Sequence, residues 1–327
     1  MPICDSSQDL KAPRAVRGTR GARSQITKGR IIGAWFLLLW SLPIASYGQS
    51  VALSFDDGLD PRTHAHATAT NHAILKALAE AQVSSIFFVA GGRVDSPEGL
   101  ALVRTWGESG HAVANHTYAH ANYGSKRTTL AAFMADIERN ERLLERYPGW
   151  TKRFRFPYLK EGETAEKRDG LRVWLKERGY RSGAVSIDAS DWYYDRRYVA
   201  WRDTHPGGDP SAYRAAYLEH LWQRANYYDD LSQRLFGRSV PHVLLLHVNQ
   251  INAAFLGDVV AMFRAKGWTL IDAAQAFQDP VYAMEPKVLP AGESLLWSLA
   301  KQRGMADLRY PAEDGRYEKP LLDKLGL

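Results

Sequence analysis

Seven short apolar runs alternate with helix-like segments along the chain, and this alternation is the strongest constraint on its fold. Runs rich in β-branched and aromatic residues are typical of strands, and the segments between them carry the three-to-four-residue apolar period of helices. Strands joined by helices pair in parallel, because each helix returns the chain to the edge where the next strand starts. A closed α/β barrel and an open doubly wound sheet both satisfy this pattern. The predicted strands are 51–55, 84–90, 111–115, 153–157, 183–188, 242–247 and 268–271.

Five polar motifs fall at or just beyond the C-terminal ends of different predicted strands. They are Ser54-Phe55-Asp56-Asp57-Gly58, His116-Thr117-Tyr118-Ala119-His120, Arg155-Phe156-Pro157-Tyr158, Asp188-Ala189-Ser190-Asp191-Trp192 and Leu244-Leu245-Leu246-His247. An α/β barrel collects its reactive groups from the loops at this face. The positions of the motifs therefore favour the barrel over the open sheet.

The first two motifs supply the side chains of a hydrolytic metal site. Such a site uses about three protein ligands, imidazole nitrogens and a carboxylate oxygen, and leaves a further position for water. His116 and His120 are four residues apart, so their rings can face one point from a helical turn or a tight loop. Asp57 completes the predicted triad. Because adjacent side chains of an extended strand point to opposite sides, Asp56 is free to act as a base, and Gly58 allows the sharp turn that follows.

The last two motifs supply a candidate general acid. His247 follows three leucines at a strand end, which places it at the mouth of the barrel, where it can protonate a leaving amine. Asp188 or Asp191 can raise the pKa of His247 by stabilising the imidazolium, and the sequence leaves open which of the two does so. Trp192 offers a flat face on which a sugar ring can stack, with core packing as the alternative.

In order and spacing the five motifs resemble those of the polysaccharide deacetylases, the NodB-homology or carbohydrate esterase family 4 group. The resemblance runs from about Val51 to about Asp279. It implies an irregular (β/α)7 barrel that hydrolyses N-acetyl groups with a divalent metal ion. It also implies that Asp56 is the base, that Arg155 positions it, and that the backbone N–H of Tyr158 binds the oxyanion. Three positions depart from the family pattern: Ser54 replaces threonine, Leu159-Lys160 replaces a glycine and Val248 replaces an aspartate.

The expected activity is de-N-acetylation of a polysaccharide such as peptidoglycan or a chitin-like chain. An O-acetyl esterase of the xylan type or a small-amide hydrolase would use the same site, and a barrel that binds glycans without turnover is the alternative from another class. Zinc is the expected ion for a His2Asp set, and Co2+, Ni2+ or Mn2+ also suits it. His64, His66 and His72 cluster near the first motif, where we expect a solvent-facing helix rather than a second metal site.

Charge and targeting signals are concentrated at the N-terminus. Residues 1–48 hold seven of the 42 Lys and Arg residues but only two of the 36 acidic residues, so the rest of the chain has a formal charge of +1. Residues 49–327 therefore carry no excess of positive charge that would indicate binding to nucleic acid or to an anionic membrane. A basic segment, the apolar run 31–42 and the small residues 46–48 predict a signal peptide, with an uncleaved anchor as the alternative. We therefore expect export to the periplasm or the extracellular space, without membrane insertion of the mature domain.

The sequence also divides the remainder of the chain. We expect a catalytic domain over residues 49–280, with an insertion at about 193–240 rich in Tyr, Trp and Arg that is a candidate wall of the substrate groove. Residues 281–327 contain several prolines and few periodic apolar residues, which predicts an extension packed on the barrel. The expected partner is an acetylated glycan, and the expected oligomeric state is a monomer.

Overall fold

The structure is a computed structural model, and it describes residues 48–311 and 314–327. Apart from Gly48, the predicted signal peptide lies outside the described residues. The strands are β1 (Ser50–Asp57), β2 (Ile86–Val89), β3 (Ala112–Asn115), β4 (Trp150–Phe154), β5 (Lys160–Gly162), β6 (Arg181–Ser182), β7 (His242–His247), β8 (Thr269–Leu270) and β9 (Ala291–Gly292). The helices are α1 (Ala67–Ala81), α2 (Pro97–Glu108), α3 (Leu130–Leu144), α4 (Ala165–Glu177), α5 (Asp191–Thr204), α6 (Ser211–Phe236), α7 (Gln250–Ala265), α8 (Ala273–Ala276), α9 (Leu295–Gln302) and α10 (Lys319–Leu325). Short helical turns cover Gly91–Arg93, Pro157–Leu159, Pro280–Ala283 and Asp314–Glu318.

The main sheet is parallel throughout and follows the order β6-β4-β3-β2-β1-β7, with β8 paired to the start of β1. Its two ends meet, because the chain just beyond β6 forms a bridge between Ile187 and Leu244 of β7. The sheet is thus a curled, irregular barrel with helices outside, as predicted for the fold class. The predicted strand 183–188 is mostly irregular, since only this single bridge continues the ladder of β6.

Strand β1 is the centre of the core and sets the position of the first motif. Its apolar side chains Val51, Leu53 and Phe55 are at most 1% exposed. Each such side chain stabilises the fold by about 1.5–3 kcal/mol through burial. Because β1 pairs with β2 on one side and β7 on the other, its C-terminal carboxylates lie beside the ends of both neighbours.

The insertion and the extension pack closely against the barrel. The insertion consists mainly of two helices, α5 and α6. Helix α5 lacks a one-sided apolar pattern because its buried residues are tyrosines set among charged residues, so its periodicity is hidden in the sequence. In the extension, β9 pairs antiparallel with β5 and α9 is buried against α6. None of the described helices combines the length and apolar character needed to cross a membrane.

Candidate metal centre and active site

The first motif turns sharply at the end of β1, and the turn separates its two carboxylates. Asp57 has a φ of 81° and Gly58 has a φ of 114°, both in the left-handed region. This is the bend that lets consecutive aspartates serve one site. Asp56 is 2% exposed, and its Oδ1 accepts a 2.5 Å hydrogen bond from Arg155 Nη1. Asp56 Oδ2 lies 3.5 Å from His116 Nε2.

The two histidines of the second motif lie in a tight loop after β3, one of the two geometries that the sequence allows. Thr117 and His120 have positive φ values of 62° and 52°. The loop is held by side chains: Asn115 Oδ1 accepts from the Thr117 N–H at 2.9 Å, and the Asp136 carboxylate accepts from the Ala119 N–H at 2.9 and 3.1 Å. These bonds support a backbone that would otherwise be strained.

Asp57, His116 and His120 converge, and their ligand atoms all lie within 4.8 Å of one another. His116 Nδ1 lies 2.9 Å from the Arg155 carbonyl oxygen, so it donates there and leaves Nε2 to face the triad. Asp57 Oδ1 is buried with no hydrogen bond, although His120 Nε2 is 3.0 Å away and His116 Nε2 is 3.9 Å away. A buried carboxylate oxygen without a donor, faced by two imidazole nitrogens, fits a divalent cation with His2Asp ligation.

Electrostatics at the triad favour the protonation states that a metal site needs. Burial raises the pKa of Asp57, but the close approach of His120 Nε2 and the nearby positive charges of His247 and Arg93 outweigh it and hold the pKa well below its ordinary value. Burial and the charge of His120 lower the pKa of His116. Asp57 is therefore a carboxylate and His116 a neutral imidazole at neutral pH, and both can coordinate a cation.

Arg155 holds the candidate base from inside the barrel. Its guanidinium donates to Asp56, to Ser54 Oγ at 2.9 Å and to the Gly183 carbonyl at 2.7 Å, and it lies 3.9 Å above the Phe88 ring. Burial raises the pKa of Asp56 to about 6, although the charges of Arg155 and His247 act in the opposite direction. The hydroxyl of Ser54, where the family pattern has threonine, is one of the groups that fix this arginine.

His247 pairs with Asp191, which answers the question that the sequence left open. Its Nδ1 is 2.7 Å from Asp191 Oδ1, and its backbone N–H donates to Asp191 Oδ2 at 2.8 Å. Burial lowers the pKa of His247, but the charge and hydrogen bond of Asp191 outweigh it and raise the pKa to about 10. His247 also stands in register with Asp56 on the neighbouring strand. Asp188 is buried nearby, and its backbone carbonyl accepts a 3.4 Å hydrogen bond from Arg224 Nε.

Tyr158 lies in the short helical turn after β4 and Trp192 in the first turn of α5, both at the same end of the barrel. Tyr158 has a φ of 56°, and its ring is 56% exposed and packs edge-on against His120 at 4.6 Å between centroids. Trp192 is half-buried in the first turn of α5, with the Arg196 guanidinium 5.7 Å from its ring. The roles of these two residues in binding substrate and oxyanion stay predictions.

Sequence reasoning missed three polar residues at the site. Arg93 Nη1 lies 3.3 Å from Asp57 Oδ2, and Asn249 and Asn252 donate to Asp191 Oδ2 at 3.0 and 2.9 Å. Asn249 also caps α7, a role that an asparagine before an apolar helical run indicates. Nothing in the sequence marks Arg93. His64, His66 and His72 are exposed and do not belong to the cluster of metal-ligand side chains found in the described part of the chain.

Comparison with known protein families finds a match to the segment that contains Asp57, His116 and His120. The family model described as polysaccharide deacetylase matches residues 45–174. Residues 45–174 are thus similar to the polysaccharide deacetylase family. This segment contains the first three motifs, including Asp56, Asp57, His116, His120 and Arg155, and the resemblance seen in the sequence is confirmed.

Two curated relatives match parts of this chain. A peptidoglycan-N-acetylglucosamine deacetylase of Bacillus cereus is 29% identical over 143 residues, which are 43% of this chain and 46% of that protein. A chitooligosaccharide deacetylase of Rhizobium leguminosarum bv. trifolii is 45% identical over 73 residues, 22% of this chain and 29% of that protein. The chain spans less than half the length of each of these relatives.

Solved structures of this deacetylase family are also similar to the chain. A peptidoglycan N-acetylglucosamine deacetylase in complex with 4-naphthalen-1-yl-N-oxidanyl-benzamide has a TM-score of 0.48 at 21% identity, covering 71% of this chain and 90% of that one. A family 4 carbohydrate esterase of Streptococcus mutans has a TM-score of 0.48 at 19% identity, covering 69% and 87%.

Proposed function

We propose that the protein is a divalent-metal-dependent hydrolase that removes N-acetyl groups from an N-acetylated polysaccharide, such as peptidoglycan or a chitin-like chain. One observation carries the proposal: a buried Asp56–Arg155 pair, the Asp57-His116-His120 cluster and a His247–Asp191 pair lie together at the ends of the barrel strands, where Asp56 of β1 stands in register with His247 of β7. This supplies a base, a ligand set and an acid, the three groups that amide hydrolysis requires.

The contacts of each residue support a specific role in the proposed reaction. A divalent cation at the triad would supply an acidified water and an electrophile for the substrate carbonyl, and we propose zinc for it. Asp56 takes the proton of the attacking water on Oδ2, because Arg155 occupies Oδ1. His247 donates its Nε2 proton to the leaving nitrogen while Asp191 holds Nδ1. The backbone N–H of Tyr158, on a turn beside His120, donates to the developing oxyanion.

The substrate class is supported by the relatives and is tested by product release. The two curated relatives are named as deacetylases of peptidoglycan N-acetylglucosamine and of chitooligosaccharides, which favours an N-acetylated glycan. The purified protein loaded with zinc should release acetate from N-acetylated oligosaccharides faster than from acetylated xylan or a small acetamide. The metal content of each preparation is measured in parallel. Faster release from acetylated xylan would point to the esterase instead, and no release from any of these substrates would point to a glycan-binding barrel.

We also propose that the protein is exported and acts as a monomer in the cell envelope. The basic and apolar segments of residues 1–48 support export. Cell fractionation should find the protein in the periplasm or the medium. Size-exclusion chromatography should give the apparent mass of a single chain. A cytoplasmic pool of full-length protein would contradict the first expectation.

A further inference from the structure

The C-terminal extension lies beyond the segment that the family model matches, and it contacts the backbone of two active-site loops. Its first contact is with the turn that carries Tyr158. Both Tyr158 and Leu159 have positive φ values, 56° and 54°, so this turn is strained and needs support. Glu293 supplies it, because its N–H donates to the Leu159 carbonyl at 2.8 Å where β9 pairs with β5.

Side chains reinforce the same contact. The Lys160 ammonium pairs with Glu293, and the Tyr310 hydroxyl donates to Glu293 Oε1 at 2.6 Å and accepts from Lys160 at 2.8 Å. Gly292 has a φ of 119°, and a Cβ there would overlap the Leu159 carbonyl oxygen. Leu159-Lys160 stands where the family pattern has a glycine, so this departure from the pattern is where the extension holds the turn.

The second contact is with the segment that leads to Asp191. Ser294 Oγ donates to the Ser186 carbonyl at 2.9 Å, and the Leu295 N–H donates to the Val185 carbonyl at 2.8 Å. Ser294 is fully buried. These bonds anchor the irregular segment that follows β6. Among the described residues, the strand pairing of this segment is the single bridge between Ile187 and Leu244 of β7.

The third contact reaches the loop of Asp191 through a buried histidine. Glu318 Oε2 lies 3.2 Å from His220 Nδ1, and His220 Nε2 accepts from the Ser190 N–H at 3.0 Å. Glu318 also accepts from Arg309 Nη2 at 2.7 Å. Glu318 and His220 are 2% and 3% exposed, so water does not compete for these bonds. Ser190 immediately precedes Asp191, the partner of His247.

We infer that Glu293 and Glu318 are positioning residues: Glu293 fixes the Tyr158 turn, and Glu318 acts through His220 to fix the Ser190–Asp191 loop. The C-terminal extension then helps to set the geometry of the active site and does not only pack against the barrel. This inference rests on the proposed function for its link to catalysis. The two halves act on different steps, since the Tyr158 turn serves the oxyanion and Asp191 serves the general acid.

Two pairs of variants test the two halves separately. Glu318→Ala should lower kcat by about 10- to 100-fold, the range typical when a residue that orients a functional side chain from behind is removed. KM and zinc content should not change. It should also move the alkaline limb of the pH profile to lower pH, because a loosened Asp191 stabilises the His247 imidazolium less. Glu293→Ala keeps the N–H bond to Leu159 but removes the carboxylate that binds Lys160 and Tyr310, and it should lower kcat without moving that limb. Glu318→Gln and Glu293→Gln keep a hydrogen-bonding group in place and should recover most of the loss.

Asp323→Asn is the matched control. It lies on the same extension and is exposed, and it pairs with the half-buried Arg197 at 2.9 Å, away from both loops. The control should leave kcat and the pH profile unchanged. An equal loss in Asp323→Asn and Glu318→Ala would overturn the inference, because it would show that the extension acts only through general stability. Unchanged kcat in folded Glu318→Ala and Glu293→Ala would overturn it as well.

An NMR titration separates this inference from the proposed function, because it needs no turnover. The imidazole of His247 is titrated in the wild type, in Glu318→Ala and in Asp323→Asn, all loaded with zinc. A lower His247 pKa in Glu318→Ala alone supports the inference even if no glycan is deacetylated. An unchanged His247 pKa in Glu318→Ala overturns the His220 half, whatever the activity of the wild type.

Discussion

Asp191 is a fully buried carboxylate and Asp57 a half-buried one at the same end of the barrel, and their surroundings differ. Asp191 accepts hydrogen bonds from the backbone and ring of His247, from Asn249 and from Asn252. Asp57 has an ion pair with Arg93 at Oδ2, while its buried Oδ1 faces two imidazole nitrogens without any hydrogen bond.

The difference separates a ligand from a positioning group. A carboxylate whose oxygens are all satisfied by donors is fixed in place and can hold an imidazolium. A carboxylate oxygen left without a donor in the interior is costly unless a cation binds it. We therefore expect Asp57 to act through a metal ion and Asp191 to act through His247, and the variants below test this distinction.

Substitution at Asp57 should have the largest effect. Asp57→Ala removes the carboxylate ligand and leaves two imidazoles, too few for a catalytic site. We expect zinc content to fall below one ion per chain and kcat/KM to drop by at least about a thousandfold. Metal analysis and acetate release measure the two effects. Asp191→Ala is the comparison, and its zinc content should stay at one ion; loss of zinc in both variants would break the distinction.

Asp56→Asn should be the next most severe substitution. The amide keeps the shape of the side chain but cannot accept the proton of the attacking water, so kcat should fall by about 10²- to 10⁴-fold. Zinc content should not change, because the triad does not include Asp56. Activity close to that of the wild type would show that another group is the base.

Asp191→Asn should change the pH dependence more than the maximal rate. The pKa of His247 is raised to about 10 by Asp191 against the effect of burial, so the imidazolium persists well above neutral pH. With the charge of Asp191 removed, burial is opposed only by the charges of Asp57 and Asp56, and the pKa should fall towards the ordinary 6.5. The alkaline limb of kcat/KM should therefore move down by roughly three pH units.

The same pair also links pH to stability. The folded-state pKa of His247 is higher than that of the unfolded chain, so its contribution is complete below pH 6.5 and is lost as the pH rises towards 10. The wild type should lose this contribution to its unfolding free energy between pH 6.5 and 10, and Asp191→Asn should not. Denaturant unfolding at both pH values checks this, and an equal loss in both proteins would contradict it.

The sequence predicted the parts of the site that depend on strand order and missed those that depend on side-chain packing. Five motifs at strand ends predicted a barrel and its catalytic face, because the ends of parallel strands must meet at one edge. The choice between Asp188 and Asp191 could not be made, since it depends on how α5 starts after an irregular segment. Glu318 and His220 are 98 residues apart in the chain, with 3.2 Å between their side chains, and no periodic pattern connects them.

Arg93→Met should have the smallest effect, and its direction distinguishes two roles for Arg93. Arg93 places a positive charge 3.3 Å from Asp57 Oδ2, and its side chain is 46% exposed. If Asp57 is a metal ligand, this charge opposes cation binding, and removing it should tighten zinc affinity by about two- to fivefold at low salt. The gain should shrink as ionic strength rises, because solvent screens an exposed charge.

Competition with a chelator measures the affinity, and Arg93→Lys, which keeps the charge, should behave like the wild type. Weaker zinc binding in Arg93→Met would instead mean that Arg93 orients Asp57 for the cation.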